Sequence, residues 1–396
     1  MPHYILDTRT ATPHFPGIGR YVTNLARGLA PLLARDERLT LFYDPAHPPS
    51  VSPTGIAQLV PVATSPFSLQ QQWVIPRLLR QIAGGAPAIY HSAYILMPYA
   101  PGVPTVLTVY DLIPLLLPGQ SSGRARLLAR TANALALRAA RRVLAISAAT
   151  RADYIRHMGV LPERIMTVPL AADPVFRPQA PAVVAALRSR LYLPERYVLY
   201  LGSNKPHKNL VRLVEAWGRA NCRLQTACPV VPGIADCRLV IAGAWDDRFP
   251  DAQQRAEVLG LADCIRFLGP VAEADLPALY AGAALFVFPS LYEGFGMPVL
   301  EAMACGTPVI CANGSSLPEV VGDPSAGSGQ AAAIQVDPLD VDALAATIGR
   351  VLGDEALAEE LRGRGLRQAA RFTWTQTAQQ TLAVYRSQMA GPAQTH

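Results

Sequence analysis

Short apolar runs alternate with longer segments of helical periodicity along most of the chain. In the first half YILD, PTVLTVYD and RVLAIS each precede a helical pattern, and the first helix is predicted to begin at Arg20. In the second half the same order recurs with YVLYLG, RLVIAG, CIRFLG, ALFVFPS and TPVICA. Nearly continuous apolar strands that alternate with helices are typical of parallel sheets covered on both faces. The pattern therefore predicts an α/β protein with two doubly wound parallel sheets.

Prolines break this alternation near the middle of the chain, in FRPQAP and YLPERY around residues 176–194. A single core seldom grows beyond about 250 to 300 residues, and this chain has 396. We therefore expect one domain over residues 1–178 and another over residues 179–372.

Composition favours a globular protein without a membrane span. Hydrophobic residues make up 51% of the chain and charged residues 16%, so large cores can form. The most apolar long stretch, residues 103–118, contains Asp111 and several prolines, and it is too short and too broken to span a bilayer. The start MPHYILDTRT is typical of a first strand and not of a secretory signal. We expect a cytoplasmic protein.

Charge is divided unevenly between the two halves. Residues 1–195 carry 19 Arg against 9 Asp plus Glu, net +10, whereas residues 196–396 carry 16 Arg plus Lys against 20, net −4. This asymmetry suggests two domains with different partners. The basic half has no zinc, helix-turn-helix or RNP signature, so nucleic acid is not predicted as a partner. The six cysteines fit neither a zinc nor a redox spacing, so no metal is predicted.

The only two lysines of the chain, Lys205 and Lys208, lie in GSNKPHKNL at residues 202–210. YVLYLG predicts a strand that ends at Gly202, and NLVRLVEAWGRA predicts an amphipathic helix. The residues between them form a turn at the carboxyl end of a strand, where open parallel sheets bind ligands. Free N–H groups and the helix dipole favour an anion there. Two ammonium groups beside that position favour a diphosphate.

A second strand-to-helix junction carries FVFPSLYEGFGMPVLEAMACGTPV. Gly294 and Gly296 allow the backbone to approach a ligand closely. Glu293 precedes the predicted helix, and Glu301 lies inside it. Carboxylates repel phosphates, so these two are suited to accept hydrogen bonds from hydroxyl groups. A ligand that carries both a diphosphate and hydroxyl groups is a nucleotide sugar.

These motifs resemble those of the retaining GT-B glycosyltransferases of family 4, the mannosyltransferase-like group 1 enzymes. The resemblance rests on KPHKN after Gly202, on RFLGPV and above all on EGFGMPVLEAMACGTPV. In the first half PGIGRYVTNLARGL resembles the family's glycine-rich acceptor-domain loop, and AISAATRADYI, VPLAADPVF and FTWTQTA also match. The resemblance implies two Rossmann-like domains that face a central cleft. It also implies a C-terminal helix within residues 373–396 that crosses back to the first domain.

The resemblance also implies roles for particular residues. Lys208 would hold the diphosphate, Glu293 would orient the transferred sugar, and Glu301 would bind the donor ribose. The predicted catalytic residues are Glu293, Lys208 and Asp111. The predicted donor-binding residues are Gly17, Gly19, Gly202, Ser203, Lys205, Lys208, Asn209, Gly243, Leu268, Glu293, Gly294, Phe295, Gly296, Met297 and Glu301.

On the acceptor side this chain departs from the family pattern. Many relatives carry His-Asp where this chain has Tyr110-Asp111. The acceptor-side candidates are therefore His91, Tyr110 and Asp111, with a purely structural role as the alternative for His91 and Asp111. Gly17-Ile18-Gly19 lacks the third glycine of a dinucleotide fingerprint, so a dehydrogenase is not predicted.

The expected activity is transfer of a hexosyl unit from a nucleotide sugar, with retention and without a metal or cofactor. Our first choice of donor is GDP-mannose, with a glycan or lipid-linked acceptor in surface polysaccharide or glycolipid synthesis. UDP-glucose or another nucleotide hexose is the alternative donor, and a nucleotide-sugar epimerase of the same fold is the alternative enzyme. The DVD sequence at residues 340–342 matches the manganese pattern of another fold, but it opens a helical stretch and predicts a helix cap.

Arginines crowd one predicted helix of the first domain, and a second helix places Trp73 near further arginines. The arginines are Arg77, Arg80, Arg124, Arg126, Arg130, Arg138, Arg141 and Arg142. Such a basic amphipathic surface is suited to peripheral contact with an anionic membrane at the inner face of the cytoplasmic membrane. The alternative is an ordinary solvated helix face.

Overall fold

A computed structural model describes residues 1–12, 16–49, 57–117, 122–226, 237–322 and 330–389. The chain forms two compact units. One unit consists of Met1–Ala171 together with the C-terminal segment that begins at Thr373, and the other of Ala172–Phe372. The last segment of the chain thus belongs to the same unit as the first.

The first unit is built on a seven-stranded parallel sheet of the described residues. Its strands are β1 (His3–Asp7), β2 (Arg38–Tyr43), β3 (Ala57–Pro61), β4 (Ala88–Ser92), β5 (Thr105–Val109), β6 (Arg142–Ala145) and β7 (Ile165–Thr167), in the order β3-β2-β1-β4-β5-β6-β7. Its helices are α1 (Pro16–Leu29), α2 (Gln71–Ala83), α3 (Ile113–Leu116), α4 (Gly123–Ala139) and α5 (Ala148–Met158). Every residue of β1, β4 and β5 is buried, as expected for strands covered on both faces.

The second unit contains a six-stranded parallel sheet. Its strands are β8 (Arg196–Leu201), β9 (Cys237–Ala242), β10 (Ile265–Gly269), β11 (Leu285–Phe288), β12 (Val309–Ala312) and β13 (Ile334–Val336), in the order β10-β9-β8-β11-β12-β13. Its helices are α6 (Pro181–Arg190), α7 (Leu210–Thr226), α8 (Asp251–Val258), α9 (Leu276–Ala281), α10 (Met297–Ala304), α11 (Leu317–Val321), α12 (Val341–Gly353) and α13 (Glu355–Ala369). The prediction of two doubly wound parallel sheets is confirmed.

Strand order reverses once in each sheet. In the second unit β9 and β10 lie on one side of β8, whereas β11, β12 and β13 lie on the other. The chain thus leaves β8 and β11 at the point where the strand order reverses, which is where such sheets bind ligands. In the first unit the corresponding strands are β1 and β4.

Helix α1 begins at Pro16, so the prediction that the first helix begins at Arg20 is wrong. Gly17 and Gly19 consequently lie in the first helical turn and not in a loop. Proline is favoured at the start of a helix because its missing N–H has no partner there. The absence of a side chain at position 19 has a steric reason, because a Cβ on Gly19 would lie 3.2 Å from the Cα of Ala11.

The C-terminal helix α14 (Trp374–Met389) packs against α1 within the first unit. The two helices approach closely at Gly28, where a Cβ would lie 2.9 Å from the Cβ of Ala378. Tyr385 of α14 is 1% exposed, and its hydroxyl shares a 2.5 Å hydrogen bond with Nδ1 of His91. Arg386 donates to both carboxylate oxygens of Glu37, at 2.8 and 2.7 Å. A buried tyrosine and an ion pair thus fix α14 to the first unit.

Asp340 caps α12, because its carboxylate accepts a hydrogen bond from the N–H of Ala343 at 2.8 Å. The helix-cap interpretation of the DVD sequence is thus confirmed. In the part of the chain that the structure describes, every helix is too short or too polar to cross a lipid bilayer.

Candidate active site

The two lysines lie at the carboxyl end of β8, in the turn that leads to α7. Pro206–Lys208 form a short 3-10 turn, which ends at Asn209 in the left-handed conformation, with φ +63°. The Asn209 amide donates to the carbonyls of Pro289 and Pro338, at 3.1 and 2.7 Å. Asn209 therefore joins the turn to the chain that leaves β11, which gives it a structural function in the second unit.

A further set of hydrogen bonds ties the same turn to the segment after β11. The carbonyl of His207 accepts from the N–H of Leu291 at 2.7 Å and from the hydroxyl of Ser290 at 3.1 Å. Burial lowers the pKa of His207 to about 4, helped by the charges of Lys208 and Lys205 and opposed by Glu293. The imidazole is therefore neutral near pH 7. The positive charge of the turn comes from its two ammonium groups.

Lys208 and Glu293 form an ion pair across the two strand ends. Nζ of Lys208 lies 2.6 Å from Oε1 of Glu293, and the two side chains are only 15% and 11% exposed. The ammonium group also lies 5.3 Å from the ring centroid of Phe288, at the end of β11. The Coulomb attraction within a partly desolvated pair is stronger than that within a surface pair, because fewer water molecules screen it. The fold thus brings together the two residues that the sequence placed at separate junctions.

Three glycines allow the strand ends to meet closely. Gly202 donates its N–H to the carbonyl of Ala242, and Gly243 donates to the carbonyl of Gly269. Gly243 has φ +123°, and a Cβ there would lie 2.2 Å from the carbonyl oxygen of Gly202. Only glycine fits this position without moving the neighbouring strand end. Gly202 and Gly243, both predicted donor-binding residues, therefore shape the edge of the site.

Helix α10 begins immediately after the EGFG sequence. Gly296 has φ +107°, and a Cβ on it would lie 2.6 Å from Cδ2 of Leu317. Phe295 is 4% exposed and packs edge to face on Phe372, with ring centroids 5.9 Å apart. Met297 is the first residue of α10 and is partly exposed. The start of this helix is thus anchored by an aromatic contact and by a backbone conformation that favours glycine.

Glu301 is buried, with 2% exposure, inside α10. The hydroxyl of Tyr280 donates to its Oε2 at 3.1 Å. A donor ribose would therefore have to share this carboxylate with Tyr280 or displace its hydroxyl. The ribose role of Glu301 stays a prediction.

The other predicted donor-binding residues of the second unit lie at the same edge of the sheet. Their side chains make fewer contacts with the rest of the site. Ser203 accepts a hydrogen bond on its carbonyl from the hydroxyl of Tyr200 at 2.8 Å. Lys205 is exposed, so its ammonium group can reach a ligand from solvent. Leu268 is half-buried and lies near the end of β10, where the pairing register with β9 shifts.

The remaining predicted site residues belong to the first unit. Gly17 is exposed at the start of α1. His91 is 1% exposed, and its second ring nitrogen shares a 2.8 Å hydrogen bond with the hydroxyl of Thr108. Asp111 accepts the N–H of Ile113 at 3.0 Å, and this contact caps the turn after β5. The hydroxyl of Tyr110 is buried without a hydrogen-bond partner among the described residues, and burial raises its pKa well above the usual value.

The structure adds two residues that sequence reasoning missed. The hydroxyl of Ser315 bonds to both the N–H and the carbonyl of Glu293, at 3.1 and 2.5 Å. The hydroxyl of Ser316 donates to the same carbonyl at 3.0 Å. Both serines follow β12 in NGSSLPE, and small polar residues after a strand are usually signs of a simple loop. No local signal linked them to Glu293.

Two family models match this chain, one over most of each structural unit. The family model described as Glycosyl transferases group 1 matches residues 188–368, and the model described as Glycosyltransferase Family 4 matches residues 16–176. O-antigen chain mannosyltransferase B of Escherichia coli is 37% identical over 254 residues, which is 63% of this chain and 61% of that protein. MMP alpha-(1->4)-mannosyltransferase of Mycolicibacterium hassiacum is 32% identical over 250 residues, 63% of this chain and 54% of that protein.

The serotype-specific mannosyltransferase WbdA of Escherichia coli is 31% identical over 278 residues, but the match spans 69% of this chain and only 32% of that protein. Among solved structures, sucrose-phosphate synthase from Thermosynechococcus elongatus has a TM-score of 0.72 at 23% identity, covering 98% of this chain and 99% of that one. Anabaena HepE in complex with UDP-glucose has a TM-score of 0.72 at 21% identity, covering 98% and 100%. These structural matches show the fold.

The two family models lie on the two structural units, and the solved neighbours share both Rossmann-like sheets. The resemblance found in the EGFGMPVLE and KPHKN motifs is therefore confirmed. The chain belongs to the family 4, group 1 glycosyltransferases and has the GT-B fold.

Proposed function

We propose that the protein transfers mannose from GDP-mannose to a glycan or lipid-linked acceptor in polysaccharide synthesis. The observation that carries this proposal is the Lys208–Glu293 pair at the β8 and β11 ends, inside the region that matches the group 1 family model. Mannose is favoured because relatives at 31% to 37% identity are named as mannosyltransferases. The chain spans 61% or less of these relatives, so their activity supports the proposal without deciding it.

The Lys208–Glu293 pair suggests how the charge interactions of the site change when a donor binds. Without a donor, the ammonium of Lys208 and the carboxylate of Glu293 neutralise each other. A diphosphate that enters the β8 turn would take over the ammonium, assisted by the exposed Lys205. The carboxylate would then be available to accept hydrogen bonds from sugar hydroxyls.

Transfer develops negative charge on the departing diphosphate and positive charge on the sugar. Lys208, together with backbone N–H groups near the start of α10, is suited to stabilise the first charge. Glu293 is suited to orient the sugar for attack by the acceptor on the face that the diphosphate leaves, which gives retention. In this proposal the lysines replace the metal that other transferases use.

Donor specificity is tested with nucleoside diphosphate release from GDP-mannose, UDP-glucose, UDP-GlcNAc, UDP-galactose and ADP-glucose, with EDTA present. Release from GDP-mannose that depends on an acceptor would support the proposal. Release from UDP-glucose instead would support the alternative donor. Conversion of the sugar in the absence of an acceptor would identify an epimerase, and loss of activity with EDTA would contradict the metal-free mechanism.

Lys208→Ala tests the assignment of the diphosphate. Loss of a charge-assisted contact costs about 1.5–3 kcal/mol, so turnover should fall about 10- to 100-fold. Arg219→Ala is the matched control, because Arg219 is a half-exposed cation of the same unit, paired with Asp342 at 2.7 Å. Unchanged turnover in Lys208→Ala would contradict the assignment.

A lipid-linked acceptor fits a surface of the first unit that we call the α4 surface. It consists of the exposed residues Arg124, Leu127, Leu128, Arg130, Leu135 and Arg138. Leu127 and Leu128 are 67% and 70% exposed, and α4 has no acidic residue. Helix α2 shares a core cluster with α4 and exposes Trp73 to 61%. Exposed leucines among arginines favour contact with an anionic lipid surface.

Vesicle sedimentation tests the proposed membrane contact. Vesicles that contain phosphatidylglycerol should bind the protein, with weaker binding at high salt, because screening reduces the attraction of the arginines. The double variant Leu127→Ser, Leu128→Ser should bind more weakly. Leu161→Ser is the control, because Leu161 is a 53% exposed leucine outside the α4 surface. Equal binding by both variants would indicate a solvated helix face.

A further inference from the structure

Ser315 occupies an unfavourable backbone conformation directly beside the Lys208–Glu293 pair. Its φ is +57°, in the left-handed region. Apart from glycines, only Tyr192 and Asn209 share a positive φ among the described residues. A Cβ makes this conformation costly, so glycine would be the cheaper residue at position 315. Strained residues of this kind cluster at functional sites.

The hydroxyl of Ser315 provides what a glycine could not. It accepts a hydrogen bond from the N–H of Glu293 at 3.1 Å and donates one to the carbonyl of Glu293 at 2.5 Å. One side chain thus holds the peptide groups on both sides of a single residue. The hydroxyl of Ser316, which is 0% exposed, donates to the same carbonyl at 3.0 Å.

These bonds fix the backbone of Glu293 relative to the end of β12. The carboxylate of Glu293 is in turn 2.6 Å from Nζ of Lys208. A rotation of either peptide group would therefore move the carboxylate relative to the ammonium group and to any bound sugar. Small displacements of a reacting group have large effects on rate, because transfer requires defined distances and angles.

We propose that Ser315 is a positioning residue that sets the direction of Glu293 toward the donor sugar. The proposal rests on the transferase function proposed above. It explains why a residue with a side chain occupies a left-handed position, since the hydroxyl would be lost with glycine.

The test uses Ser315→Gly and Ser315→Ala in the full-length protein. Ser315→Gly relieves the backbone strain and removes the hydroxyl, so its Tm should lie above that of Ser315→Ala. Its kcat should nevertheless fall roughly tenfold, with the donor KM changed by less than about twofold. Ser315→Ala keeps the strain and loses the hydroxyl, so both its Tm and its kcat should fall.

Tyr192→Gly is the matched control for strain relief. Tyr192 has φ +50°, is 83% exposed and makes no described contact with Glu293. Its replacement should raise Tm, because strain is relieved without loss of a hydroxyl contact, and leave kcat unchanged.

Two outcomes would overturn the assignment of Ser315 in an active wild-type enzyme. One is a kcat of Ser315→Gly within twofold of wild type, which would make the hydroxyl purely structural. The other is a raised donor KM at unchanged kcat, which would indicate ground-state binding. A wild-type protein inactive with every donor would instead overturn the proposed function itself.

Discussion

At the scale of single residues, the Lys208–Glu293 pair should limit how much positive charge the proposed site offers to a diphosphate. The carboxylate competes with any anion for the ammonium group, because the two are 2.6 Å apart. Glu293→Gln keeps the shape of the side chain and removes its charge. We expect it to bind GDP about tenfold more tightly than wild type, since Lys208 is released and repulsion is lost. Isothermal titration calorimetry measures the affinity.

The same variant should lose transferase activity, because the amide is a poorer acceptor for sugar hydroxyls. Tighter product binding together with slower turnover separates this model from a general loss of structure. Glu215→Gln is the control, because Glu215 pairs with Arg255 at 2.8 Å in the same unit, outside the proposed site. Weaker GDP binding by Glu293→Gln would show that the carboxylate does not compete for Lys208.

The burial of His91 predicts that the stability of the first unit decreases in acid. Burial lowers the pKa of His91 to about 3 from the ordinary value of 6.5, with Asp7 acting in the opposite direction. Between these values the unfolded chain binds a proton and the folded protein does not. The free energy of unfolding should therefore fall as the pH drops from about 6.5 toward 3, by about 1.4 kcal/mol per pH unit. Urea unfolding at pH 7, 6 and 5 measures this slope.

His91→Gln should reduce that slope, because it removes the buried imidazole. Part of the slope should persist in His91→Gln, since the pKa of His207 is also lowered, to about 4. Equal slopes in wild type and His91→Gln would mean that His91 does not couple folding to pH.

The sequence identified Lys208 and Glu293 as candidate site residues, but it did not show that their side chains lie close together. Lys208 and Glu293 stand at two strand-to-helix junctions in the sequence, but they are 85 positions apart. Which junctions become neighbours depends on strand order, and hydrophobic periodicity does not encode strand order. Ser315 was harder still to predict, because a serine in the left-handed conformation carries no mark in the sequence.

At the scale of elements, the close meeting of β8 and β9 depends on Gly243. A Cβ there would lie 2.2 Å from the carbonyl oxygen of Gly202, which precedes the lysine turn. Gly243→Ala should therefore lower the free energy of unfolding by more than about 3 kcal/mol, through steric overlap in addition to backbone strain. Chemical denaturation measures the loss, and GDP binding should weaken because the turn moves.

Gly260→Ala measures the cost of backbone strain in the absence of steric overlap. Gly260 has φ +65°, and a Cβ on it would have no neighbour within 4 Å. Its replacement should cost about 1–2 kcal/mol and leave GDP binding unchanged. Similar losses in the two variants would show that the strand ends can separate without effect on the site.

Eight of the thirteen described strands were predicted from the sequence, among them the edge strand β10 but not the buried strands β2 and β4. The eight apolar runs identified in the sequence correspond to β1, β5, β6, β8, β9, β10, β11 and β12. Strands β3, β7 and β13 lie at sheet edges, and β7 and β13 have only three residues with partial burial. Edge strands bury less of each residue, so their sequences need not be continuously apolar.

At the scale of the whole molecule, the order of the segments along the chain differs from their grouping into structural units. Helix α14 follows the second unit in sequence but packs within the first. Its Tyr385 is 1% exposed, contacts His91 and lies with its ring centroid 5.1 Å from that of Tyr4. The resemblance of the FTWTQTA motif to the family predicted such a helix. The hydrophobic periodicity of α14 did not indicate which unit it packs against.

Tyr385→Ala tests whether the two units unfold independently. Loss of a large buried aromatic side chain should destabilise the first unit by about 3–5 kcal/mol. The residues proposed to bind the diphosphate lie in the second unit, so GDP should bind the variant as tightly as wild type. In scanning calorimetry the variant should lower one transition, and GDP should raise the other, because a ligand stabilises the unit that binds it. If GDP raises the transition that Tyr385→Ala lowers, the two units unfold as one.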